Sequence, residues 1–419
     1  MRFGRILLSA GASSYRVKAS MARMARAVGI DEHRASVSFS DIATTSFANN
    51  TFRTEIFENR TFGVNADRIE RLKALSHKLR TDMAAEQLDE ELDLIESTPP
   101  LYGPVVNALA SGIACAGFCF LNKGGPWECL AVAIAATVGQ AMRRMMLHRK
   151  MNHFAVWLLC GVIGTLFYIG SIEAMGGLGW LDPTHNQAGV VSAILFLIPG
   201  FPMVTALLDF VRMDFPSALT RGSYVFAVMA SAGIAVWAVS YTLGWNLNAE
   251  VPYHLPFAAL AGLRLLSSFI AAWGFAILFN TPWKICACAA TTGAIVNTVR
   301  FAVIDAKLLP WHAAVAIAAL LIGLIAAAIA SRTYYSRVSL SVPAVVIMIP
   351  GVPFYRALTA MNDGLTSQAI NQVVEVLFVI TAIGIGLAVS RMLTDRGWII
   401  DTPTNTLPTL ESSSRHEIR

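Results

Sequence analysis

Charge is scarce in this chain. Asp, Glu, Lys and Arg make up 14% of its 419 residues against 55% hydrophobic residues. Mean hydropathy is +0.56. A soluble globular domain carries about a quarter charged residues, so this composition excludes that class and points to a membrane protein. Cysteine is sparse too: Cys115, Cys119, Cys129, Cys160, Cys286 and Cys288 all fall inside apolar runs. No His or acidic cluster accompanies them at metal spacing, which argues against a disulfide framework or a zinc site. The chain lacks a nucleotide P-loop, so it supplies no ATP-driven step of its own. It also lacks a Gly-x-Ser-x-Gly elbow and a membrane Asp pair, so no enzyme, cofactor or metal is expected. Arg2 and Arg5 precede only Ile6-Leu7-Leu8, too short for a signal-peptide core, and the chain is expected to start in the cytoplasm. The formal charge of +5 does not imply a nucleic-acid partner. Its basic residues lie mostly in short gaps between apolar runs, which is a membrane-topology pattern.

What is present is a repeated interruption. Ile198 to Pro202 reads Ile-Pro-Gly-Phe-Pro, and Ile349 to Pro353 reads Ile-Pro-Gly-Val-Pro. Each phrase sits near the centre of a mostly apolar stretch, Gln187 to Val211 and Val338 to Asn362, long enough to cross a bilayer. Proline removes a helix hydrogen bond and glycine loosens the backbone. In hydrocarbon such a break survives only where protein or a water-filled cavity satisfies the freed groups. A matched pair of breaks therefore marks a candidate transport site.

Ten spans follow residue 100, at about 101–121, 127–146, 153–171, 188–210, 222–243, 257–279, 283–303, 311–331, 341–361 and 372–392. Only the fourth and ninth carry the break, which places it alike in two five-span halves. Ala135-Ala136-Thr137-Val138-Gly139 matches Ala289-Ala290-Thr291-Thr292-Gly293, and Pro126-Trp127 matches Pro282-Trp283. Offsets of these phrases and the breaks all lie between 151 and 156 residues, as a duplication requires. With the N-terminus inside, eleven Lys and Arg fall in inside gaps and four outside, which puts both termini in the cytoplasm. Five spans per half is odd, so the second half enters the membrane inverted, an arrangement of many secondary transporters. The expected organisation is an α+β cytosolic domain (1–100), two five-helix repeats (101–250 and 251–395) and a polar tail (396–419).

In the first region, apolar residues from Phe3 to Val28 recur at three and four, predicting one helix closed by Gly29. Ala35 to Thr45 and Thr51 to Glu58, around Asn49-Asn50, predict a hairpin. Asn65 caps a helix carrying Ile69, Leu72 and Leu79, and Thr81 a second carrying Leu88, Leu92 and Ile95.

The candidate binding residues are few. Pro199, Gly200 and Pro202, with Pro350, Gly351 and Pro353, would end two half-helices, restarting near Met203 and Phe354 with free N–H groups suited to a carboxylate. Arg264, about halfway along span six, is the deepest cation and a candidate partner for that carboxylate. Asn297 could hydrogen-bond a substrate. Glu375 in span ten and Asp209 after the first break are the proton-coupling candidates. Polar helix–helix contacts and loop caps are the plainer readings of these residues.

Gly11, Tyr15-Arg16-Val17, the basic helix after them, the hairpin, ten spans and both Ile-Pro-Gly phrases resemble the threonine/serine exporter family. The likeness covers residues from about 5 to 393. It implies an inner-membrane secondary transporter exporting a small carboxylate-bearing metabolite, threonine or serine ahead of succinate, driven by the proton motive force. It also implies a cytosolic motif at Gly11, Tyr15 and Arg16. Ser13 and Lys18 stand where related sequences often place acids. The expected partners are the small-molecule substrate and the lipid bilayer, with a homo-oligomer left open. A membrane-embedded enzyme acting on a lipid or peptide is the alternative from another class.

Overall fold

The structure is a computed structural model that describes residues 1–59, 62–78, 85–183, 188–245 and 255–399. The expected single helix near the N-terminus is two, α1 (Arg2–Ser9) and α2 (Ser14–Ala27). Gly11 separates them at φ +95, a conformation that L side chains avoid. The apolar stripe survives the break, and Phe3, Leu7, Val17, Met21 and Met24 are buried. The expected hairpin is a three-stranded antiparallel meander, β1 (Glu32–Val37), β2 (Asp41–Ala48) and β3 (Thr51–Glu58). Its first turn was hidden inside the Ala35 to Thr45 run. There Ser38 Oγ accepts the N–H groups of Ser40 and Asp41, a hydroxyl-held turn. The second turn, Asn49-Asn50, has φ 50 and 59, the left-handed pair of a type I′ hairpin. Asn65 Oδ1 caps α3 (Ala66–Lys78) by accepting the Arg68 N–H at 3.1 Å. Thr81 and Leu79 lie outside the described residues. α4 (Ala85–Ser97) follows, with Leu92 and Ile95 buried.

The apolar region begins with α5 (Pro104–Leu121), α6 (Pro126–His148) and α7 (His153–Gly177). Two short 3-10 stretches, Ala188–Val190 and Ser192–Leu197, lead to α8 (Gly200–Val211). Then come α9 (Phe215–Leu243), α10 (Phe257–Leu278), α11 (Trp283–Asp305) and α12 (Trp311–Arg332). α13 (Arg337–Val346), α14 (Gly351–Asn362) and α15 (Thr366–Thr394) complete it. Prolines start helices here: Pro104 and Pro126 occupy first-turn positions where a missing N–H costs nothing.

Among the described residues, eight helices are each long and apolar enough to cross a membrane. α13 and α14 together add a ninth, bent by 49°. The chain is thus a helical multi-pass membrane protein with a small N-terminal sheet. The fourth expected span is not a continuous helix. Its second part, α8, has 12 residues, about 18 Å at 1.5 Å per residue, too short to cross alone.

The packing repeats. α5 lies on α6, α6 on α7 and α7 on α9, and likewise α10 on α11, α11 on α12 and α12 on α15. The stretch before the first break packs against α5, α6 and α7, and α13 against α10, α11 and α12. α5 and α10 join the two sets at a close backbone approach. A Cβ added to Gly117 would lie 2.8 Å from the Ser267 carbonyl oxygen, and one on Gly274 2.6 Å from that of Ala110. Small residues permit such contact where no water drives helices together.

Gly274→Val should therefore push α5 from α10 and destabilise the protein by about 1–3 kcal/mol, because a backbone oxygen cannot swing aside. Gly170→Val, where an added Cβ meets nothing within 4 Å, should melt close to wild type. Thermal unfolding in detergent measures both, and equal melting points would show that this contact is not constrained.

Candidate functional site

The two breaks have the same hydrogen bond and touch each other. Pro199 sits at φ −78, ψ 61, and the Gly200 N–H bonds the Ile198 carbonyl at 2.8 Å, an inverse γ-turn. The Gly351 N–H bonds the Ile349 carbonyl at 2.9 Å in the same pattern. A Cβ on Gly200 would lie 2.9 Å from Val346 Cγ2, and one on Gly351 2.6 Å from Leu195 Cδ2. Each glycine thus faces the segment that leads into the other break. Pro350 is buried, while Pro202 and Pro353 are half-buried.

The helices resume at Gly200 and Gly351, three residues before Met203 and Phe354. This matters for anion binding. The Gly200 N–H is spent on the turn, Pro202 has none, and Met203 bonds the Pro199 carbonyl. At most the Phe201 N–H is left in that first turn, so a helix end alone makes a poor anion site here.

A cavity of about 220 Å³ lies beside the first break, between Pro199, Pro202 and the N-terminal residues Gly11 and Phe39. Two arginines reach it. Arg221 is fully buried, with its Nε 3.6 Å from Asp209 Oδ2. It also donates to Thr205 Oγ1 and the Gly11 and Ala12 carbonyls, and its guanidinium lies 4.9 Å from the Phe39 ring centroid. Arg143 donates to the Phe196 carbonyl at 2.6 Å and lies over the Trp157 ring. Among the described residues it has no carboxylate partner. The cavity therefore holds one neutralised and one unneutralised guanidinium, flanked by aromatic faces.

Neither arginine was singled out by sequence, because both counted as inside-gap charges. A signal existed for Arg143. It follows Gly139 of the duplicated phrase by four residues, one helical turn along the same face. Its counterpart at the same offset is Asn297. Glu128 was missed as well: fully buried, it accepts the Gly125 and Gly189 N–H groups at 2.7 and 3.0 Å.

The structure disperses the remaining candidates. Arg264 pairs with Asp305 and lies over Phe301. It stands eleven residues, about 16 Å of helix, from Phe275 at the cavity wall. Asn297 Nδ2 donates to Ser268 Oγ, and its Oδ1 accepts from Arg300 Nε, both at 2.9 Å. Glu375 is half-buried on α15, with no hydrogen bond or ion pair among the described residues. Asp209 is tied down: it accepts the Ser14 N–H and hydroxyl, both at 3.1 Å, besides facing Arg221.

The N-terminal motif docks the domain onto the helices. Gly11 turns its carbonyl onto Arg221, and Arg16 donates to Ser336 Oγ at 2.5 Å. Lys18 pairs with Asp214 at 2.6 Å. The Tyr15 hydroxyl accepts from Arg391 at 3.2 Å, and its ring meets Trp398 edge-on. Burial pushes the Tyr15 phenol up, but Arg391 and Arg16 outweigh it and bring it down to about 8. An unfolded tyrosine titrates near about 10. The folded state thus gives up this proton first, so the contribution to stability is full above about pH 10 and is lost as pH falls through about 8. Phenolate absorbance should show one tyrosine ionising near pH 8 that disappears in Tyr15→Phe; a wild-type titration with no phenolate until about pH 10 would refute this.

Residues 1–243 match the family described as threonine/serine exporter, and residues 264–393 match a second description, Threonine/Serine exporter, ThrE. The chain is 25% identical over 250 residues to the "Probable succinate transporter subunit YjjP" of Klebsiella aerogenes, covering 58% of this chain and 91% of that protein. It is 26% identical over 256 residues to the protein of the same name from Escherichia coli, covering 59% of this chain and 94% of that one. No solved structure matches significantly. With both family matches falling across the N-terminal domain and the two broken segments, the chain belongs to the threonine/serine exporter family of membrane exporters.

Proposed function

We propose that the chain is a secondary exporter of small carboxylate-bearing metabolites, threonine and serine first, across the bacterial inner membrane. The observation that carries this reading is the cavity at the first break, with Arg143 unneutralised inside it. A half-buried guanidinium such as that of Arg143 binds a carboxylate well because both its charge and its paired donors fit. One spare cation suits one carboxylate. The ammonium of an amino acid would then face the Tyr224 ring, since Phe39 and Trp157 already carry Arg221 and Arg143. The family description supports an amino acid. A dicarboxylate is the second reading, supported by the names of both relatives. It would bring a second carboxylate to a cavity whose other guanidinium already has Asp209.

The matched breaks and the repeated packing order support two five-span halves, inverted because five is odd. In this arrangement the N-terminal domain lies in the cytosol with both termini, on the side from which an exporter loads. Glu375, unpaired among the described residues, is the proposed proton carrier, whereas Asp209 is committed to Ser14 and Arg221.

Transport into inside-out vesicles tests the reading. Threonine should accumulate when a proton gradient is imposed and only equilibrate without it. Arg143→Gln should lower the rate about tenfold to a hundredfold, the loss of a charge-assisted contact of about 1.5–3 kcal/mol. Arg264→Gln should keep near-normal transport. The reverse ranking would move the site to the second half, and faster succinate uptake would select the dicarboxylate. Glu375→Gln should abolish gradient-driven accumulation while leaving exchange; retained accumulation would remove Glu375 from coupling.

Orientation has its own test. Single cysteines replacing Lys123 and Leu178 in a cysteine-free background should label from outside the cell. One replacing Tyr334, 82% exposed, should label only from inside. External labelling at 334 would reject the inversion.

A further inference from the structure

A second cavity, of about 570 Å³, opens where the N-terminal domain meets the ends of α12, α13 and α15. Its walls carry Arg16 and Arg23 of α2, Lys73 of α3, Arg337 of α13 and Arg391 of α15. Asp395 is the one carboxylate among its lining residues. Glu70, nearby on α3, is occupied by the Ser336 N–H, at 2.8 and 3.0 Å from its two oxygens. Five basic side chains thus share the space with one lining acid.

Their hydrogen bonds go to neutral groups. Arg16 donates to Ser336 Oγ, Arg23 to Ser76 Oγ and Lys73 to the Tyr335 carbonyl. Arg337 donates to Thr394 and Arg391 to the Tyr15 hydroxyl. Among the described residues, none of the five forms an ion pair. Elsewhere on the same domain several arginines are neutralised: Arg2 and Arg5 by Glu96, and Arg71 by Asp67. Five cationic side chains without an ion pair are therefore gathered around this one cavity.

The arrangement is built by both parts of the protein. Arg16, Ser20 and Arg23 recur at four and three on one face of α2, and Ser76 and His77 lie three and four residues after Lys73 on one face of α3. Burial lowers the Lys73 ammonium from its usual value, Arg16 lowers it further, and Glu70 only partly opposes them. Burial, then Arg23 and Lys73, likewise lower His77. Like charges held this close repel unless an anion lies between them, and docking the domain increases that repulsion.

We propose that this cavity is a binding site for a phosphate-bearing polyanion, distinct from the transport cavity, whose occupancy ties the N-terminal domain to the second half of the helical region. A monocarboxylate would leave most of the charge uncompensated. A diphosphate or larger group matches the surplus, and guanidinium forks suit phosphate oxygens. The source is either a soluble phosphorylated metabolite or an anionic lipid headgroup, since the cavity adjoins the ends of three apolar helices.

Inorganic pyrophosphate is the soluble probe, with ionic strength held constant by chloride. Unaltered full-length protein in neutral detergent should bind it saturably and melt at a higher temperature. It should also protect Lys73 from amine acylation while exposed Lys150 still reacts. Arg23→Gln with Lys73→Gln should weaken binding by on the order of tenfold or more, the equivalent of at least one charge-assisted contact. Arg23→Lys with Lys73→Arg should retain it, and Arg332→Gln, outside the cavity, should leave it unchanged. In a parallel arm, phosphatidylcholine vesicles containing cardiolipin, whose headgroup carries two phosphates, should protect Lys73 where phosphatidylcholine alone does not, if the headgroup is the natural source. Protection in either arm supports the site. Absence of protection by both probes overturns it, as does wild-type binding by the double glutamine variant. The acylation arm needs no variant, so a folding defect cannot obscure the outcome.

Discussion

The buried pair of Arg221 and Asp209 is the constraint on which the rest depends. Two charges removed from water are tolerated only when nearly every donor and acceptor is satisfied. Here the partners come from three places in the chain. Thr205 lies on the same broken segment as Asp209, Ser14 begins the second N-terminal helix, and the Gly11 and Ala12 carbonyls belong to the turn before it. Removing the N-terminal domain would strip Arg221 of two carbonyls and Asp209 of two donors. The domain is thus part of the satisfaction of a charge buried in the helical region. Gly11 is required for geometry: at φ +95, with an added Cβ only 3.1 Å from the Gly63 carbonyl, it alone lets that turn face Arg221.

That docking fixes the first break, and the first break fixes the second. Gly200 and Gly351 lie against each other's approach segments with side-chain atoms closer than any Cβ would allow. The γ-turn at each break consumes a glycine N–H, and the following Pro202 and Pro353 remove another donor from each half-helix. A design that needed two helix ends to grip an anion would not discard those donors. The chain instead supplies an arginine from the neighbouring helix, held by the carbonyl of Phe196 just before the turn.

Much of this was legible in sequence wherever one local rule dominated. Apolar length, which predicted ten spans, found the eight helices that are long and apolar enough to cross a membrane among the described residues, proline marked several of their starts, and Asn49-Asn50 gave the left-handed turn. The break positions came from Pro-Gly chemistry alone. The failures share a cause, which is that the deciding partner is distant in sequence. Gly11 and Ser13 are a local stop and restart that the continuous apolar stripe masked, and the partner that holds their turn, Arg221, is some 210 residues away. The Ser38 turn is set by one hydroxyl inside a run of good strand formers. Arg264 looked deepest by counting along a span, but its partner Asp305 sits on the next helix. Arg143 and Arg221 were assigned to gaps because charge counting places basic residues at interfaces. α6 and α9 in fact extend far enough to carry both inside regular helix.

The two cavities differ in a way that constrains how they could work together. Beside the first break, one guanidinium is already neutralised and one is open, so a ligand arriving with a single carboxylate leaves little net charge. If this is the transport site, as proposed, release of a ligand uncovers only one charge, the half-buried Arg143. The cavity at the domain boundary carries several uncompensated cations and opens more widely, so it favours a ligand that stays. Both are walled partly by the N-terminal domain, through Gly11 and Phe39 at one and Arg16 and Lys73 at the other. Any shift of that domain would alter both walls together. A ligand that binds better to one position of the domain must therefore change affinity at the other cavity, and the coupling is reciprocal.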